Sequence, residues 1–374
     1  MNDTSEFEIF LGTQPGLEDL LLQEVIERGF KRPKAVGGGV IIWGAWPDVW
    51  RANLTLRGAS KVLARIGEFR AFHLAQLDKR SRKFPWGDTL MPGHAVKVEV
   101  VTNRKSKIYH AGAAIERIER AIKEEFGAAI ATSMEEADII IKTRIDDNNV
   151  RLSVDTSGVG LHKRGYKQAM GKAPLRETMA ALALRGCGYD GNEPVLDPMC
   201  GSGTIVIEAA QISRNIMAGQ SRSFAFERLA GYDVEAVQAM RDNWTTRESQ
   251  HRFYGSDRNV NVIGFSKANA ERAGVADICT FAPLPLSKIE RPDGPAGLVM
   301  VNPPYGARIG KKKDLFALYT AFGDVMRERF SGWRIGMITS DMKLAEATRL
   351  PWLPKSAPIA HGGLKVRLLK TDKL

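Results

Sequence analysis

The sequence predicts an α/β fold in which a mainly parallel sheet of seven strands fills the C-terminal half of the chain. Three observations predict it. A short apolar strand, residues 195–197, runs through a glycine-containing turn into an apolar helix that begins at Thr204. A later strand ends at Asp257, and the apolar run 298–301 leads into Asn302. Strands that alternate with helices in this way indicate parallel βαβ units, whose carboxyl ends meet at one edge of the sheet.

Two smaller α+β units are predicted before this sheet. Residues 8–69 alternate strands with helices in the manner of a ferredoxin-like unit and contain no residue type or pattern that indicates catalysis. Residues 70–160 form a second block with a helix, a strand at 95–100, a basic turn at 102–107 and a long helix predicted over 108–126. Two further strands are predicted at 137–142 and 150–155.

Composition limits the classes of protein that the chain can belong to. The 374 residues are long enough for two or three domains, and a hydrophobic content of 44% is typical of a globular protein. No run of about 18 apolar residues predicts a membrane span, and the N-terminus lacks a signal segment. Three cysteines without a paired pattern and six scattered histidines favour a reducing, cytoplasmic location and no metal site. The net charge of +11 favours a polyanionic partner such as nucleic acid, although a basic surface alone is common.

The glycine turn after the first strand of the large sheet predicts a nucleotide-type ligand. A phosphate-binding loop would need a lysine after the turn, and a dinucleotide fingerprint would need a third glycine, so neither matches. A carboxylate at Asp197 would repel a pyrophosphate but suits a cationic ligand, which favours S-adenosylmethionine; the alternative is an ordinary glycine-rich turn of a parallel sheet. Asp257 ends the next strand, where a carboxylate can accept both hydroxyls of a ribose. The candidate cofactor-binding residues are Asp197, Pro198, Cys200, Gly201, Ser202, Gly203, Thr204, Asp257 and Asn302.

The turn Asn302-Pro303-Pro304-Tyr305 predicts the catalytic residues. An exocyclic amine of a base is a weak nucleophile because its lone pair is delocalised into the ring. The side-chain oxygen of Asn302 and the carbonyl of Pro303 can accept hydrogen bonds from the two N–H groups of this amine. This arrangement favours a pyramidal nitrogen in the transition state. Tyr305 can stack on a base that has been flipped out of its strand. This turn after an apolar strand therefore predicts methylation of an amino group.

Basic residues in three places are candidate RNA contacts, since arginine and lysine bind phosphates. Each cluster can equally be a solvated surface. They are Arg104, Lys105 and Lys107 in the basic turn, Lys163 and Arg164 before the large sheet, and Arg308, Lys311 and Lys312 after the catalytic turn.

With these motifs the chain resembles the THUMP-domain, S-adenosylmethionine-dependent RNA guanine-N2 methyltransferases. The resemblance covers nearly the whole chain and rests on residues 161–166, 173–178, 197–204 and 302–306. It implies a ferredoxin-like domain over residues 1–69, a THUMP RNA-binding domain over 70–160 and a Rossmann-like methyltransferase domain over 161–374. Members make N2-methylguanosine in 23S ribosomal RNA or in tRNA, so ribosomal RNA is the expected partner, tRNA the alternative, and a monomer is expected.

By position, the resemblance implies cofactor contacts at Asp197, Gly201, Gly203 and Asp257, and a catalytic turn at 302–305. One feature departs from related enzymes, which usually place an acidic residue near the adenine after the third strand; residues 281–286 contain none. Other interpretations are an adenine-N6 methyltransferase, a protein glutamine methyltransferase, and a non-catalytic RNA-binding factor. A cytosine-C5 enzyme is disfavoured, because Cys200 lies in the glycine turn as a small filler.

Overall fold

The computed structural model describes residues 6–168, 175–305, 312–354 and 356–374. The chain forms two compact units, and neither is a continuous segment. The first contains the residues up to Thr13, Leu22–Leu161 and Arg222–Asn243. The second contains Gln14–Leu21, His162–Ser221 and Trp244–Leu374.

The first unit is built on one seven-stranded sheet in the order β2-β3-β1-β4-β7-β6-β5. Its neighbouring strands are antiparallel except for the parallel pair β5 and β6. The strands are β1 (Phe7–Gly12), β2 (Lys34–Val36), β3 (Gly39–Gly44), β4 (Lys61–Arg70), β5 (Val96–Thr102), β6 (Ile139–Asp146) and β7 (Asn149–Asp155). The helices are α1 (Glu18–Glu27), which crosses between the units, α2 (Trp46–Thr55), α3 (Leu74–Arg82) and α4 (Ala111–Ala121), which continues as a π-helical turn over Ile122–Phe126.

The sheet of the first unit continues across the predicted boundary between residues 69 and 70. That boundary falls at the end of β4, which pairs with β1 on one side and with β7 on the other. The ferredoxin-like part and the following block therefore share one hydrogen-bonded ladder. Strand β2 was not predicted, because three residues are too few to show an alternating pattern.

Helix α4 begins three residues later than the sequence predicts. The side chain of His110 accepts the backbone N–H of Ala113 at 3.1 Å and caps the helix there. A side-chain acceptor at this position satisfies one of the N–H groups that the first helical turn leaves without a partner. The residues 108–109 therefore belong to the turn that precedes the helix.

The second unit contains the predicted seven-stranded sheet, in the order β10-β9-β8-β11-β12-β14-β13. The first five strands in this order are parallel, and β14 is antiparallel to both of its neighbours. The strands are β8 (Val195–Asp197), β9 (Phe253–Ser256), β10 (Cys279–Ala282), β11 (Leu298–Val301), β12 (Arg334–Thr339), β13 (Ile359–His361) and β14 (Leu364–Lys370). The helices of this unit are α5 (Glu177–Gly186), α6 (Thr204–Ser213), α8 (Val260–Arg272), α9 (Lys312–Arg329) and α10 (Met342–Ala347), while α7 (Val234–Asp242) lies in the first unit.

The order of the strands in the second unit reverses at β8. The chain moves outward from β8 to β9 and β10, then returns to β11 on the other side of β8. Open α/β sheets bind ligands in the crevice at such a switch point, at the carboxyl ends of the strands. All four residues of β11 are buried, as expected for a strand covered on both faces, and Val299 and Val301 pack in the same core as Phe322 and Met326 of α9.

The inserted segment after α6 belongs to the first unit. Its first residue, Arg222, donates hydrogen bonds to the carbonyls of Ser157 at 3.1 Å and Gly160 at 2.9 Å, and its guanidinium stacks on Phe224 at 4.9 Å. Further along, the backbone N–H of Phe226 donates to the carbonyl of Thr156 at 3.0 Å. Cutting the chain at residue 160 would therefore separate this segment from the residues that hold it.

Candidate active site

Three strand ends meet around β8. In the sheet register Asp197 lies beside Gly255, so Asp257 follows two residues beyond that pair. On the other side Leu196 pairs with Val299, and Asn302 follows the end of β11. Adjacent strands are about 4.8 Å apart. The fold therefore places the Asp257 loop and the Asn302 turn on the two sides of the glycine turn, as the sequence predicts.

The glycine turn has a fixed, left-handed backbone. Gly201 has φ +52° and Gly203 has φ +83°. Residues other than glycine rarely adopt this left-handed backbone conformation. A Cβ at Gly201 would point into open space, whereas a Cβ at Gly203 would lie 3.1 Å from the Cβ of Ser266 and 3.2 Å from the ring of Phe281. A Cβ at Gly203 would thus require its neighbours to shift by a few tenths of an ångström, whereas Gly201 leaves the main chain open to a ligand.

Two polar residues of α8 that the sequence did not single out hold this turn. The hydroxyl of Ser266 donates to the carbonyl of Gly201 at 2.7 Å, and the side-chain amide of Asn269 donates to the carbonyl of Ser202 at 3.0 Å. Both side chains are completely buried. Buried polar groups are almost always hydrogen-bonded, so a serine and an asparagine three residues apart on the inner face of a helix are a signal of such a contact.

Asp257 is tied to the glycine turn. Its Oδ2 accepts the backbone N–H of Gly201 at 3.2 Å, and its Oδ1 accepts the N–H of Asn259 at 2.9 Å. These two bonds fix the carboxylate at the carboxyl end of β9, beside the open position at Gly201. The arrangement suits the predicted role of Asp257 as an acceptor for ribose hydroxyls.

Asp197 is a buried acid that lacks a positive partner among the described residues. It is 2% exposed, and its Oδ1 accepts the backbone N–H of Met199 at 3.0 Å. Burial raises the pKa of this carboxyl to about 8, and the nearby charge of Asp257 contributes in the same direction. An acid in this state gains from a cationic ligand, because a positive charge compensates for the loss of hydration. This observation supports the predicted fit to the sulfonium or ammonium group of S-adenosylmethionine.

The other residues of the turn are buried and shape its walls. Burial raises the pKa of the Cys200 thiol well above its usual range, so this cysteine is a small packing group and not a thiolate nucleophile. Pro198, Ser202 and Thr204 are also buried and pack around the turn.

The Asn302 turn contains a buried acceptor without a donor. The Oδ1 atom of Asn302 is buried and accepts no hydrogen bond from the described part of the chain. Such an atom loses about 1–3 kcal/mol of hydration unless a donor reaches it. Pro303 is buried, and Tyr305 is partly buried, which raises the pKa of its hydroxyl. A donor from a substrate would complete the hydrogen bonding of Asn302.

Tyr319 of α9 supports this turn and was not found from the sequence. Its hydroxyl donates to the carbonyl of Pro304 at 3.3 Å and lies 3.3 Å from the hydroxyl of Thr339 at the end of β12. Burial raises the pKa of Tyr319, so the hydroxyl stays protonated and remains a donor. Only the packing of α9 on the sheet brings this tyrosine to the turn.

The predicted RNA contacts have different environments. Arg104, Lys105, Lys107 and Lys163 are exposed. Arg164 is only 3% exposed, and its guanidinium donates to the carboxylate of Glu208 at 3.2 Å, so the structure does not support RNA contact by Arg164. Its charge is needed inside the protein because Glu208 is fully buried. Arg308, Lys311 and the side chain of Lys312 lie outside the described residues.

The described residues contain neither a metal-binding cluster nor a membrane-spanning helix. None of their histidine, cysteine, aspartate and glutamate side chains form a group of three that could hold a metal ion. No helix among them is long and apolar enough to span a bilayer.

Comparison with protein families gives two matches. Residues 8–63 match the ferredoxin-like domain of RlmL. Residues 164–360, more than half of the chain, match the RMKL-like methyltransferase domain. The chain belongs to the RMKL-like methyltransferase family. This result confirms the predicted N-terminal ferredoxin-like domain and the C-terminal methyltransferase domain of an α/β protein.

Proteins similar in sequence or structure to this RMKL-like methyltransferase are also described as methyltransferases. The ribosomal RNA large subunit methyltransferase K/L of Vibrio campbellii is 35% identical over 355 residues, which are 90% of this chain and 49% of that protein. This chain thus spans about half the length of that relative. A putative RNA methyltransferase of Synechocystis is 30% identical, with 100% of both chains covered. The putative methyltransferase SMU.472, solved with S-adenosylhomocysteine, has 25% identity and a TM-score of 0.87, covering 99% of this chain and 98% of its own. S-adenosylmethionine is therefore confirmed as the cofactor class of the fold and family.

Substituting each glycine of the turn separately distinguishes packing from ligand access. A left-handed alanine costs about 1–2 kcal/mol, so Gly201→Ala should lower the melting temperature by only a few degrees, at about 2–4 °C per kcal/mol. Gly203→Ala adds clashes with Ser266 and Phe281 and should lower it further. Differential scanning fluorimetry without ligand measures both, and equal shifts for the two variants would contradict this division. Gly201→Ala should lose the stabilisation that S-adenosylmethionine gives the wild type, because its Cβ enters the space that is open to the ligand.

Proposed function

We propose that this RMKL-like methyltransferase transfers a methyl group from S-adenosylmethionine to the exocyclic N2 amine of a guanosine in 23S ribosomal RNA. The observation that carries the proposal is the buried Oδ1 of Asn302 next to the glycine turn, which accepts no hydrogen bond from the described residues. An amino group of a substrate base supplies the donor that this atom lacks. Ribosomal RNA is favoured because the relatives include a ribosomal RNA methyltransferase.

The cofactor would be held by residues on both sides of β8. The buried Asp197 carboxylate offers a negative charge to the cationic end of S-adenosylmethionine, and the open backbone at Gly201 allows close approach. Asp257, fixed by two backbone N–H groups, accepts the ribose hydroxyls. S-adenosylmethionine supplies an electrophilic methyl group when it is bound.

The chain's own groups prepare the amine. Asn302 Oδ1 and the Pro303 carbonyl each accept a hydrogen bond from one N–H group of the amine. These two bonds orient the lone pair of the nitrogen towards the methyl donor. The two acceptors are worth most in the transition state, since the nitrogen becomes tetrahedral and positively charged as the new N–C bond forms. The nitrogen then loses one proton to solvent, so no strong base is required. Tyr319 keeps the turn in place through the Pro304 carbonyl, and Tyr305 stacks on the flipped base.

The finer features of the function are also proposals. The block over residues 70–160 is a THUMP RNA-binding domain, with Arg104, Lys105, Lys107 and Lys163 as exposed phosphate contacts. The protein acts as a monomer in the cytoplasm, where its ribosomal substrate is made. The alternatives are a tRNA guanine-N2 enzyme and an adenine-N6 enzyme, since the same turn would accept either amine.

One experiment identifies base, position and RNA class together. The protein is incubated with isotopically labelled S-adenosylmethionine and total RNA from cells that lack its gene. Nucleosides and RNase fragments are then analysed by mass spectrometry. Labelled N2-methylguanosine in a 23S fragment is expected. Label in N6-methyladenosine, or in tRNA alone, would support one of the alternatives, and no label in any RNA would refute the proposal.

The buried acid predicts proton release on cofactor binding. Because burial raises the pKa of Asp197 to about 8, this carboxyl is protonated in most molecules of the free protein at pH 7. Binding of the cationic cofactor favours the ionised carboxylate, so the proton is released on binding. Affinity should therefore rise with pH up to about 8. The ligand-free protein should change in the opposite direction, losing stability as the pH rises from about 4 towards 8, since burial disfavours the charged form.

Isothermal titration calorimetry in two buffers with different ionisation enthalpies measures the released proton. Asp197→Asn should bind with lower affinity and without this release. The exposed Asp190→Asn serves as the matched control and should behave as the wild type. If Asp197→Asn released the same number of protons as the wild type, Asp197 would not be the group that titrates.

A further inference from the structure

One edge of the first unit presents aromatic rings beside positive charges. Phe72 is 39% exposed and Tyr109 is 75% exposed. Arg104, Lys105 and Lys107, in the turn between β5 and α4, are exposed as well. We call these five residues the turn surface. Single exposed aliphatic side chains are common on protein surfaces. Two exposed aromatic rings on the same turn surface as three cations are typical of a surface that binds single-stranded nucleic acid.

The sheet brings the two aromatic segments to the same edge. β4 ends at Arg70, which pairs with Asn149 at the start of β7. β5 ends at Thr102, which pairs with Ile145 near the end of β6. The chain turns from β6 into β7 at this edge, so the residues after β4 and those after β5 lie on either side of one hairpin.

The tip of that hairpin holds both segments. The carbonyl of Asn148 accepts the backbone N–H of Ala71 at 2.9 Å, and its side-chain oxygen accepts the N–H of Lys107 at 2.8 Å. The ammonium of Lys107 lies 5.6 Å from the centre of the Phe72 ring. Asn148 therefore fixes a cation beside an aromatic face before any ligand arrives, which lowers the entropy lost on binding.

The cations of the turn surface carry uncompensated charge. In the described part of the chain, no acidic side chain forms an ion pair with Arg104, Lys105 or Lys107. Other arginines of this block are neutralised: Arg82 pairs with Asp78, Glu124 and Glu125, and Arg120 pairs with Asp78. These three cations are thus available to contact an external anion, with Asp146 and Asp147 as the acidic residues of the neighbouring hairpin.

We propose that the turn surface binds an unpaired segment of RNA, whose bases stack on Phe72 and Tyr109 while its phosphates meet Arg104, Lys105 and Lys107. Duplex RNA keeps its bases inside the helix and offers mainly phosphates and 2′-hydroxyls to a protein. Its bases therefore cannot stack on the exposed rings. Unpaired RNA offers both a base face and a charged backbone at once. This inference rests on the proposed RNA function and narrows the substrate to RNA with a single-stranded segment near the methylated guanosine.

The test separates stacking from charge. Phe72→Leu/Tyr109→Leu keeps apolar side chains but removes both aromatic faces. Fluorescence anisotropy of the full chain is measured with a labelled decauridylate, which is unpaired, and with a labelled duplex RNA. The double variant should lose affinity for decauridylate by about tenfold or more for each stacked ring and keep its affinity for the duplex. Trp43→Leu is the matched control, since Trp43 is 38% exposed and stacks with Arg32 at 5.1 Å on β3.

The outcomes are distinct. Equal affinity of the double variant and the wild type for decauridylate would overturn the inference, and so would an equal loss for decauridylate and duplex at an unchanged melting temperature. A parallel assay of methyl transfer to ribosomal RNA by the wild type tests the proposed function separately. If the wild type transferred methyl groups to RNA and the double variant bound decauridylate as tightly as the wild type, the proposed function would stand and only the stacking surface would be refuted. No methyl transfer to any RNA would refute the function itself.

Discussion

Asn302→Ala is expected to lower methyl transfer to RNA by about 10²- to 10³-fold, the cost of removing one preorganised acceptor or donor from a reacting centre. Affinity for S-adenosylmethionine should stay close to that of the wild type. The reason is that the Asn302 Oδ1 atom lacks a donor within the described structure and gains one only from the substrate amine. Single-turnover transfer of a labelled methyl group and calorimetry with the cofactor measure the two quantities separately.

The control for this variant is Asn192→Ala, which removes an exposed asparagine in the loop before β8. It should methylate as the wild type does. Asn302 is also a candidate cofactor contact, and a parallel fall in cofactor affinity and methyl transfer would assign it to cofactor binding instead. Unchanged turnover would remove Asn302 from the mechanism.

Replacing Arg104, Lys105 and Lys107 together by glutamine is expected to weaken RNA binding about 10- to 100-fold at 50 mM salt. Removing three phosphate contacts should also reduce the slope of log affinity against log salt by about 2, so that most of the difference from wild type disappears between 50 and 200 mM salt. The loss should affect unpaired and duplex RNA alike, because phosphates are common to both. Fluorescence anisotropy across a salt series gives the slope.

A second triple variant keeps the change in net charge and moves its position. Lys79, Arg80 and Lys83 are exposed in the second half and at the C-cap of α3, about 8–14 Å along the helix axis from its start. Their replacement by glutamine should reduce the slope less. Equal slopes for the two variants would show that RNA responds to the overall charge of the protein and not to the turn between β5 and α4.

Much of the geometry of the candidate site could be predicted because its information is local. Asp197 ends one short apolar strand and Asn302 follows another, and the glycines at 201 and 203 adopt the left-handed backbone of the turn. Backbone angles and strand ends depend on a few adjacent residues, so a window of about ten residues contains the signal. The rule that parallel strands meet at one edge then places the two loops together.

The supports of the site could not be predicted, since each depends on contacts between distant segments. Ser266 reaches Gly201 across 65 positions and Tyr319 reaches Pro304 only after α9 has packed on the sheet. Arg164 reads as a surface cation in the sequence, and becomes a buried ion-pair partner because Glu208, 44 positions away, occupies the inner face of α6. Burial is a property of the assembled fold, and no local pattern of charges contains it.

By itself, then, the sequence predicted the candidate site, because the strand–turn patterns around Asp197 and Asn302 set the local conformation and supply the polar side chains at the strand ends. The tertiary structure alone decided that the first sheet runs without interruption through the β4–β7 pair, and that the segment Arg222–Asn243 belongs to the first unit. Strand pairing and packing between remote segments depend on many weak contacts that form together. Their sum selects one arrangement only once the whole chain has folded.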